Sequence, residues 1–201
     1  MSVSTRTYHH GDLRNCAIAV AAQLVESSGS YDITITQVAK LSGVSAAALY
    51  RHFKDKKALV SAVAERVHMT FTHYLLAAEA EVERGTLAHF EALGRAYLRF
   101  ADEKRTFFRL MWEYRGSAEI KQGTAPAMAA GFQILLDAVE LYMTRQSSPQ
   151  PHSPMRTATL LWSTVHGIAT LRHNHLLDTF DENVKAEELL ETATHAILEA
   201  N

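Results

Sequence analysis

The sequence predicts an all-α fold in two parts. An N-terminal three-helix unit is built around a helix-turn-helix, and a larger C-terminal helical unit follows, with about nine helices in all. Three observations predict it. Apolar residues recur at three- and four-residue spacing along nearly the whole chain. Proline occurs only at 126, 149, 151 and 154, so few positions forbid a helix. No segment alternates apolar and polar residues over strand length; residues 31–38 come closest, and their second half joins a helical pattern.

Each element has its own signals. Asp12 caps a first helix whose apolar face is Leu13, Ala17, Ile18, Ala21, Leu24 and Val25, and Gly29 follows its end. Thr34 caps a short second helix, with Gln37 three residues on to complete a capping box. Ser42 and Gly43 break that helix. Ser45 caps a third helix running to about Phe53. Asp55 caps a long fourth helix to about Arg84, with Leu59, Val63, Val67, Phe71, Tyr74, Leu75 and Val82 inward. Further helices are expected at about 86–103, 105–114, 124–146, 155–176 and 184–200. Residues 147–154, rich in Ser and Pro, form a loop. The two units divide as 1–56 and 57–201.

Composition narrows the function classes. The 201 residues are 47% hydrophobic and 21% charged, which suits a packed core and excludes a disordered polyelectrolyte. One cysteine, Cys16, excludes an internal disulfide and a cysteine-based zinc framework. The longest unbroken apolar run, residues 16–22, is far short of the ~20 residues needed to span a bilayer. The N-terminal residues lack the apolar core of a secretory signal, so a cytoplasmic protein without membrane contact is expected. Charge is uneven. Residues 1–60 carry seven basic and four acidic side chains, net +3, whereas residues 61–201 are net −5. A basic head on an acidic body favours nucleic acid at one end.

The strongest motif lies between Ile35 and Phe53. Ala39 is small enough for a second helix to cross close by. Gly43, four residues on, takes the positive φ of a sharp turn. Val44 plugs the crevice and Leu49 points back into the core. This is helix-turn-helix spacing, and its second helix would enter a DNA major groove. An ordinary αα-hairpin shares part of the pattern, but the flanks favour DNA. Thr34 and Lys56 stand at helix N-termini, where phosphates bind readily. Tyr50 and His52 lie near the end of the recognition helix. Arg6, in an N-terminal arm, reaches phosphate or the minor groove.

Residues 34–63, TITQVAKLSGVSAAALYRHFKDKKALVSAV, resemble the DNA-binding region of the TetR family of bacterial transcriptional regulators. The shared pattern falls on Thr34, Val38, Ala39, Gly43, Val44, Ser45, Leu49, Tyr50, His52, Phe53 and Lys56. The stretches YLRFADEKRTFFRLMWE and WSTVHGIATL, with YHHGDLR near the start, are similar to a branch whose C-terminal unit carries a Trp-x-x-x-His-Gly helix. The resemblance implies a homodimer paired through the last two helices. Two heads would meet successive major grooves of a roughly palindromic double-stranded operator. Such regulators are most often repressors that a small-molecule effector releases from DNA. The opening of the recognition helix departs from many relatives. Ala46 and Ala47 donate no hydrogen bonds but can touch thymine methyl groups. Base readout is therefore expected to lean on Thr36, Gln37, Ser45, Tyr50 and His52, without an arginine–guanine pair.

In the C-terminal unit, Tyr97, Phe108, Met111 and Trp112 fall in one aromatic-rich stretch. Trp162 and His166, four apart, share a helical face. Together they are candidates to line a pocket for a small, partly apolar ligand, although core packing would use the same residues. Other chemistry is sparse. His173 and His175 are two apart and point to different sides of a helix; no HExxH occurs, and no metal site, cofactor or catalytic group is expected. Two other readings stay open: a helical enzyme or metal-binding bundle using the His-rich second half, and a DNA-binding regulator with no small-molecule ligand.

Overall fold

The computed structural model describes residues 13–113, 125–146, 151–180 and 183–199. Ten helices and no strand occur among them: α1 (Leu13–Ser28), α2 (Ile35–Leu41), α3 (Ala46–Tyr50), α4 (Lys56–Glu79), α5 (Leu87–Glu103), α6 (Arg105–Glu113), α7 (Ala125–Thr144), α8 (Pro154–His173), α9 (Leu176–Phe180) and α10 (Ala186–Leu198). The sequence prediction had nine; the extra helix is the short α9. His175, with φ +56, interrupts the periodicity that predicts one helix to residue 176. Asp12 and Arg6 lie outside the described residues.

Local capping sets most boundaries. Thr34 and Gln37 form the expected capping box. Ser45 Oγ accepts from the Ala48 N–H at 3.2 Å, and the Asp55 carboxylate accepts from the Ala58 N–H at 2.8 Å. Two helices stop sooner than periodicity alone suggests. After Tyr50, the Leu49 carbonyl accepts from both His52 and Phe53 N–H groups at 2.9 Å, which turns the chain so that Phe53 enters the core. α4 ends at Glu79 rather than near Arg84 because His89 holds the next turn. The buried His89 ring takes the Gly85 N–H on Nδ1 at 3.1 Å, and its Nε2–H donates to Glu79 at 3.2 Å. Burial holds this imidazole below its ordinary pKa, so it is neutral and both nitrogens are used.

The head comprises α1, α2 and α3. Its core is Ala17, Ile18, Ala21, Val25, Val38, Ala39 and Leu49, closed by Leu59 and Val60 at the start of α4. Gly43 makes the turn between α2 and α3 with φ +68. An alanine there would meet nothing within 4 Å, so its cost is purely conformational. Gly43→Ala is expected to destabilise the fold by about 1–2 kcal/mol without changing the helix content of the native state. Thermal unfolding followed by circular dichroism checks this; an unchanged midpoint would contradict it.

α4 runs from the head into the body. Around it pack α5, α6 and α7, with α8 and α10 completing the layer. Gly94 on α5 lets α10 approach closely: a Cβ there would sit 2.6 Å from a Leu190 methyl. Arg172 near the end of α8 bridges Asp102 of α5 and Glu187 of α10. Head and body also meet through α6. Lys104 pairs with Glu26 at the end of α1, and the Arg109 guanidinium lies 5.9 Å from the Tyr31 ring centroid. No helix among the described residues is long and apolar enough to cross a membrane.

Candidate nucleic-acid interface and effector cluster

α3 is anchored from one side only. Leu49 is fully buried, Ala46 and Ala48 are half-buried, and Ser45, Ala47 and Tyr50 face outward, Tyr50 with 53% of its surface exposed. Thr36, Gln37, Arg51 and His52 are exposed beside it. The structure thus brings Thr34, Thr36, Gln37, Ser45, Ala46, Ala47, Tyr50 and His52 onto the helix-turn-helix.

The cap constrains what two of these side chains can offer. Gln37 Oε1 accepts from the Thr34 N–H at 2.8 Å and from the Thr34 hydroxyl at 2.9 Å. The Gln37 carbonyl is therefore committed, and its NH₂ remains as a donor. A donor suits phosphate oxygens and base acceptors but cannot complete a two-bond recognition of adenine. Lys56 is not a free cation. It stands at the first turn of α4 and pairs with Asp32, 24 residues away. The ammonium bonds to the Asp32 carboxyl and holds it below the usual carboxylate range. Sequence reading found Lys56 by its position at a helix start and missed Asp32, because no local pattern links them.

The second cluster lies inside the body. The Tyr97 hydroxyl is 2.8 Å from His166 Nδ1. Burial raises the Tyr97 pKa and lowers that of His166, so a neutral phenol donates to a neutral imidazole. Trp112 lies edge-on to His166 at 5.0 Å, to Trp162 at 6.0 Å and to Phe108 at 6.5 Å. Trp162 meets Tyr97 at 5.4 Å. Five of the six residues expected there form one connected set, and Met111, the residue before Trp112 on α6, is buried. A cavity of about 30 Å³ adjoins Tyr97 and Trp162, walled by Thr194 and by apolar side chains such as Leu75, Leu93, Leu135 and Leu161. That is small beside the ~300 Å³ of a site for a drug-sized molecule, so a larger guest must displace side chains.

His68 of α4 also belongs to the cluster, with its ring 6.1 Å from Trp112. Its signal was available: it lies three residues before Phe71 on the inward face of α4. Burial pushes its pKa from the ordinary 6.5 to about 4. Between those values the unfolded chain binds a proton that the folded one refuses, so acid favours unfolding. The His68 contribution to stability is expected to be flat above about pH 6.5 and to fall toward pH 4 by on the order of 2–3 kcal/mol. His68→Leu should flatten that part of the profile in denaturant titrations at stepped pH. An unchanged slope would remove His68 as a cause.

No group of three or more His, Cys, Asp or Glu side chains able to hold a metal ion occurs among the described residues.

A helix-turn-helix head joined by one long helix to an all-helical body with an aromatic interior is the make-up of a bacterial transcriptional regulator. The profile of bacterial regulatory proteins of the tetR family matches residues 17–63, and that of the tetracyclin repressor-like C-terminal domain matches residues 90–197. The chain belongs to the TetR family. It is 34% identical over 97 residues to the nucleoid occlusion factor SlmA of Aliivibrio fischeri, covering 46% of this chain and 47% of that protein. It is 31% identical over 114 residues to the class C tetracycline repressor protein of Escherichia coli, covering 57% and 46%. The chain thus spans about half the length of the curated relatives it matches. Among solved structures, it is similar to a protein of unknown function from Rhodococcus sp. RHA1, with 27% identity, a TM-score of 0.78 and 98% of each chain covered. The regulator FadR from Bacillus subtilis, solved with stearoyl-CoA, shares the fold at 12% identity and a TM-score of 0.68, over 93% of this chain and 98% of that one.

Proposed function

We propose that this protein is a cytoplasmic, homodimeric, sequence-specific DNA-binding regulator, a repressor released from its operator by a small, partly apolar effector. The reading rests above all on α3, which is pinned by Leu49 and presents Ser45, Ala47 and Tyr50 outward. Residues 1–56 would carry the DNA-binding function, with Arg6 in the arm, and 57–201 effector binding and dimerisation. Ala46 and Ala47 would lie against base edges. Thr34 and Lys56 would hold phosphates at two helix starts. Tyr97, Phe108, Met111, Trp112, Trp162 and His166 would surround the effector. The dimer would form through α8 and α10. Met155, Leu160 and Leu189 are exposed there, and the Gly167 face has open space around it. Twofold pairing of these helices would set two heads about one DNA turn apart, ~34 Å. An effector that shifts α6 would pull on the Lys104–Glu26 and Arg109–Tyr31 contacts and so alter the head's position. Such linkage typically amounts to ~1–3 kcal/mol.

Selection of bound duplexes from a random pool tests the reading. A palindromic site with half-sites one turn apart is expected, retained in gel-shift assays with steep salt dependence. Failure to enrich any sequence would overturn it. The Lys56 contact has its own test. Lys56→Ala should weaken binding to every duplex and lower the salt slope by about one. Asp32→Asn, which frees the ammonium, should tighten binding to every duplex alike. Unchanged affinity in both variants would remove Lys56 from the phosphate contacts.

A further inference from the structure

The helix-turn-helix is short of hydrogen-bond acceptors. No Asp or Glu occurs between Asp32 and Asp55, and both of these are engaged, Asp32 by the Lys56 ammonium and Asp55 by the Ala58 N–H. Gln37 is the one carboxamide in that span, and its Oε1 takes the Thr34 N–H and the Thr34 hydroxyl. Two bonds fill the two lone pairs of an amide oxygen, so only the NH₂ of Gln37 is left to meet DNA. Ser45 Oγ accepts from the Ala48 N–H, which turns one lone pair back into α3 and leaves the O–H free to donate. The acceptors that remain are single hydroxyl oxygens, such as those of Thr36 and Tyr50, both exposed.

Each base edge in the major groove asks for something different. Adenine takes a donor and an acceptor from one carboxamide, and cytosine takes a carboxylate on N4. The span offers neither. Guanine takes Arg or Lys, and residues 45–48 include none; Arg51 caps the opposite end of α3. Thymine presents one acceptor, O4, beside a methyl group. The first turn of α3 matches that edge. Ala47 is exposed and Ala46 half-buried, so two methyl groups follow the Ser45 hydroxyl, and the fully buried Leu49 holds this face outward. We infer that the first turn of α3 reads a thymine in each half-site, with Ala47, and Ala46 beside it, packing on the 5-methyl group while the Ser45 hydroxyl donates to O4. This inference rests on the reading of α3 as the helix that enters the major groove.

The test uses the full chain and the duplex it selects from a random pool. Thymines of that duplex are replaced by uracil, one symmetric pair at a time. Uracil removes the methyl group and keeps every base-pairing and groove hydrogen bond. At least one pair is expected to weaken binding by about tenfold or more, since one buried methyl corresponds to about fourfold and each half-site loses one. 5-Methylcytosine opposite guanine at that pair restores the methyl but puts an amino group where O4 stood. It should bind about tenfold more weakly than thymine. Ala47→Gly removes the protein's side of the contact, and the affinity ratio between thymine and uracil duplexes should then fall toward one. Ala47→Ser, which sets a hydroxyl against the methyl, serves if circular dichroism shows that the glycine variant does not fold. A selected half-site without thymine, uracil duplexes bound within about twofold of the parent at every pair, 5-methylcytosine bound as tightly as thymine, or a folded variant that keeps the parent's ratio would each overturn the inference. Operator binding indifferent to uracil defeats the thymine contact alone, whereas failure to enrich any duplex defeats the regulator.

Discussion

Ala47→Asp is expected to abolish DNA retention while leaving the fold intact. Ala47 is exposed in the first turn of α3. The partial positive charge of a helix N-terminus welcomes a carboxylate there, by about 0.3–1 kcal/mol, so the variant should unfold no earlier than the parent. On DNA the same carboxylate would face the groove that the methyl group occupied, lined by phosphate charge. Like-charge contact in an interface costs several kcal/mol, which corresponds to a loss of about a hundredfold or more. Gel shifts paired with thermal melts check both halves. A variant that melts normally and still retains the operator would show that α3 does not lie in the groove.

Phe71→Ala should bring the largest loss of stability. The ring is 2% exposed and stands at the centre of the body. It lies 5.2 Å from both Tyr97 and Phe100 and 6.1 Å from Trp162, each in edge-to-face geometry. Gly131 of α7 also packs on it, since a Cβ there would sit 3.0 Å from the ring. Truncation leaves a cavity that four helices would have to collapse into. A cost of about 3–5 kcal/mol is expected, with the melting midpoint lowered by roughly 10 °C. Denaturant titration gives the value directly; a loss below about 1 kcal/mol would mean that the surrounding rings do not depend on Phe71.

What could be read in advance was what is decided locally. Thr34 with Gln37, Ser45 and Asp55 cap their helices because a side-chain oxygen two or three residues from a backbone N–H needs no distant partner. The spacing of Ala39, Gly43, Val44 and Leu49 fixed the helix-turn-helix for the same reason. Features decided by distant residues were not legible. α4 stops at Glu79 because His89, ten residues later, folds back onto it. Lys56 is neutralised by a residue 24 positions earlier. The aromatic set was found as a list of residue types, but its connectivity depends on how α4, α5, α6 and α8 cross. The helical spacing of His68 to Phe71 places it on the inward face of α4, but its contact with Trp112 depends on how α4 and α6 cross.

The chain has two tryptophans, and both stand in that set, with ring centroids 6.0 Å apart. Every ultraviolet photon the indoles of a subunit emit therefore originates from one spot in the body, and none from the head. The molecule carries its own optical gauge. Changes in emission intensity or wavelength report events at the interior aromatics alone, so an effector titration can be followed without any attached dye.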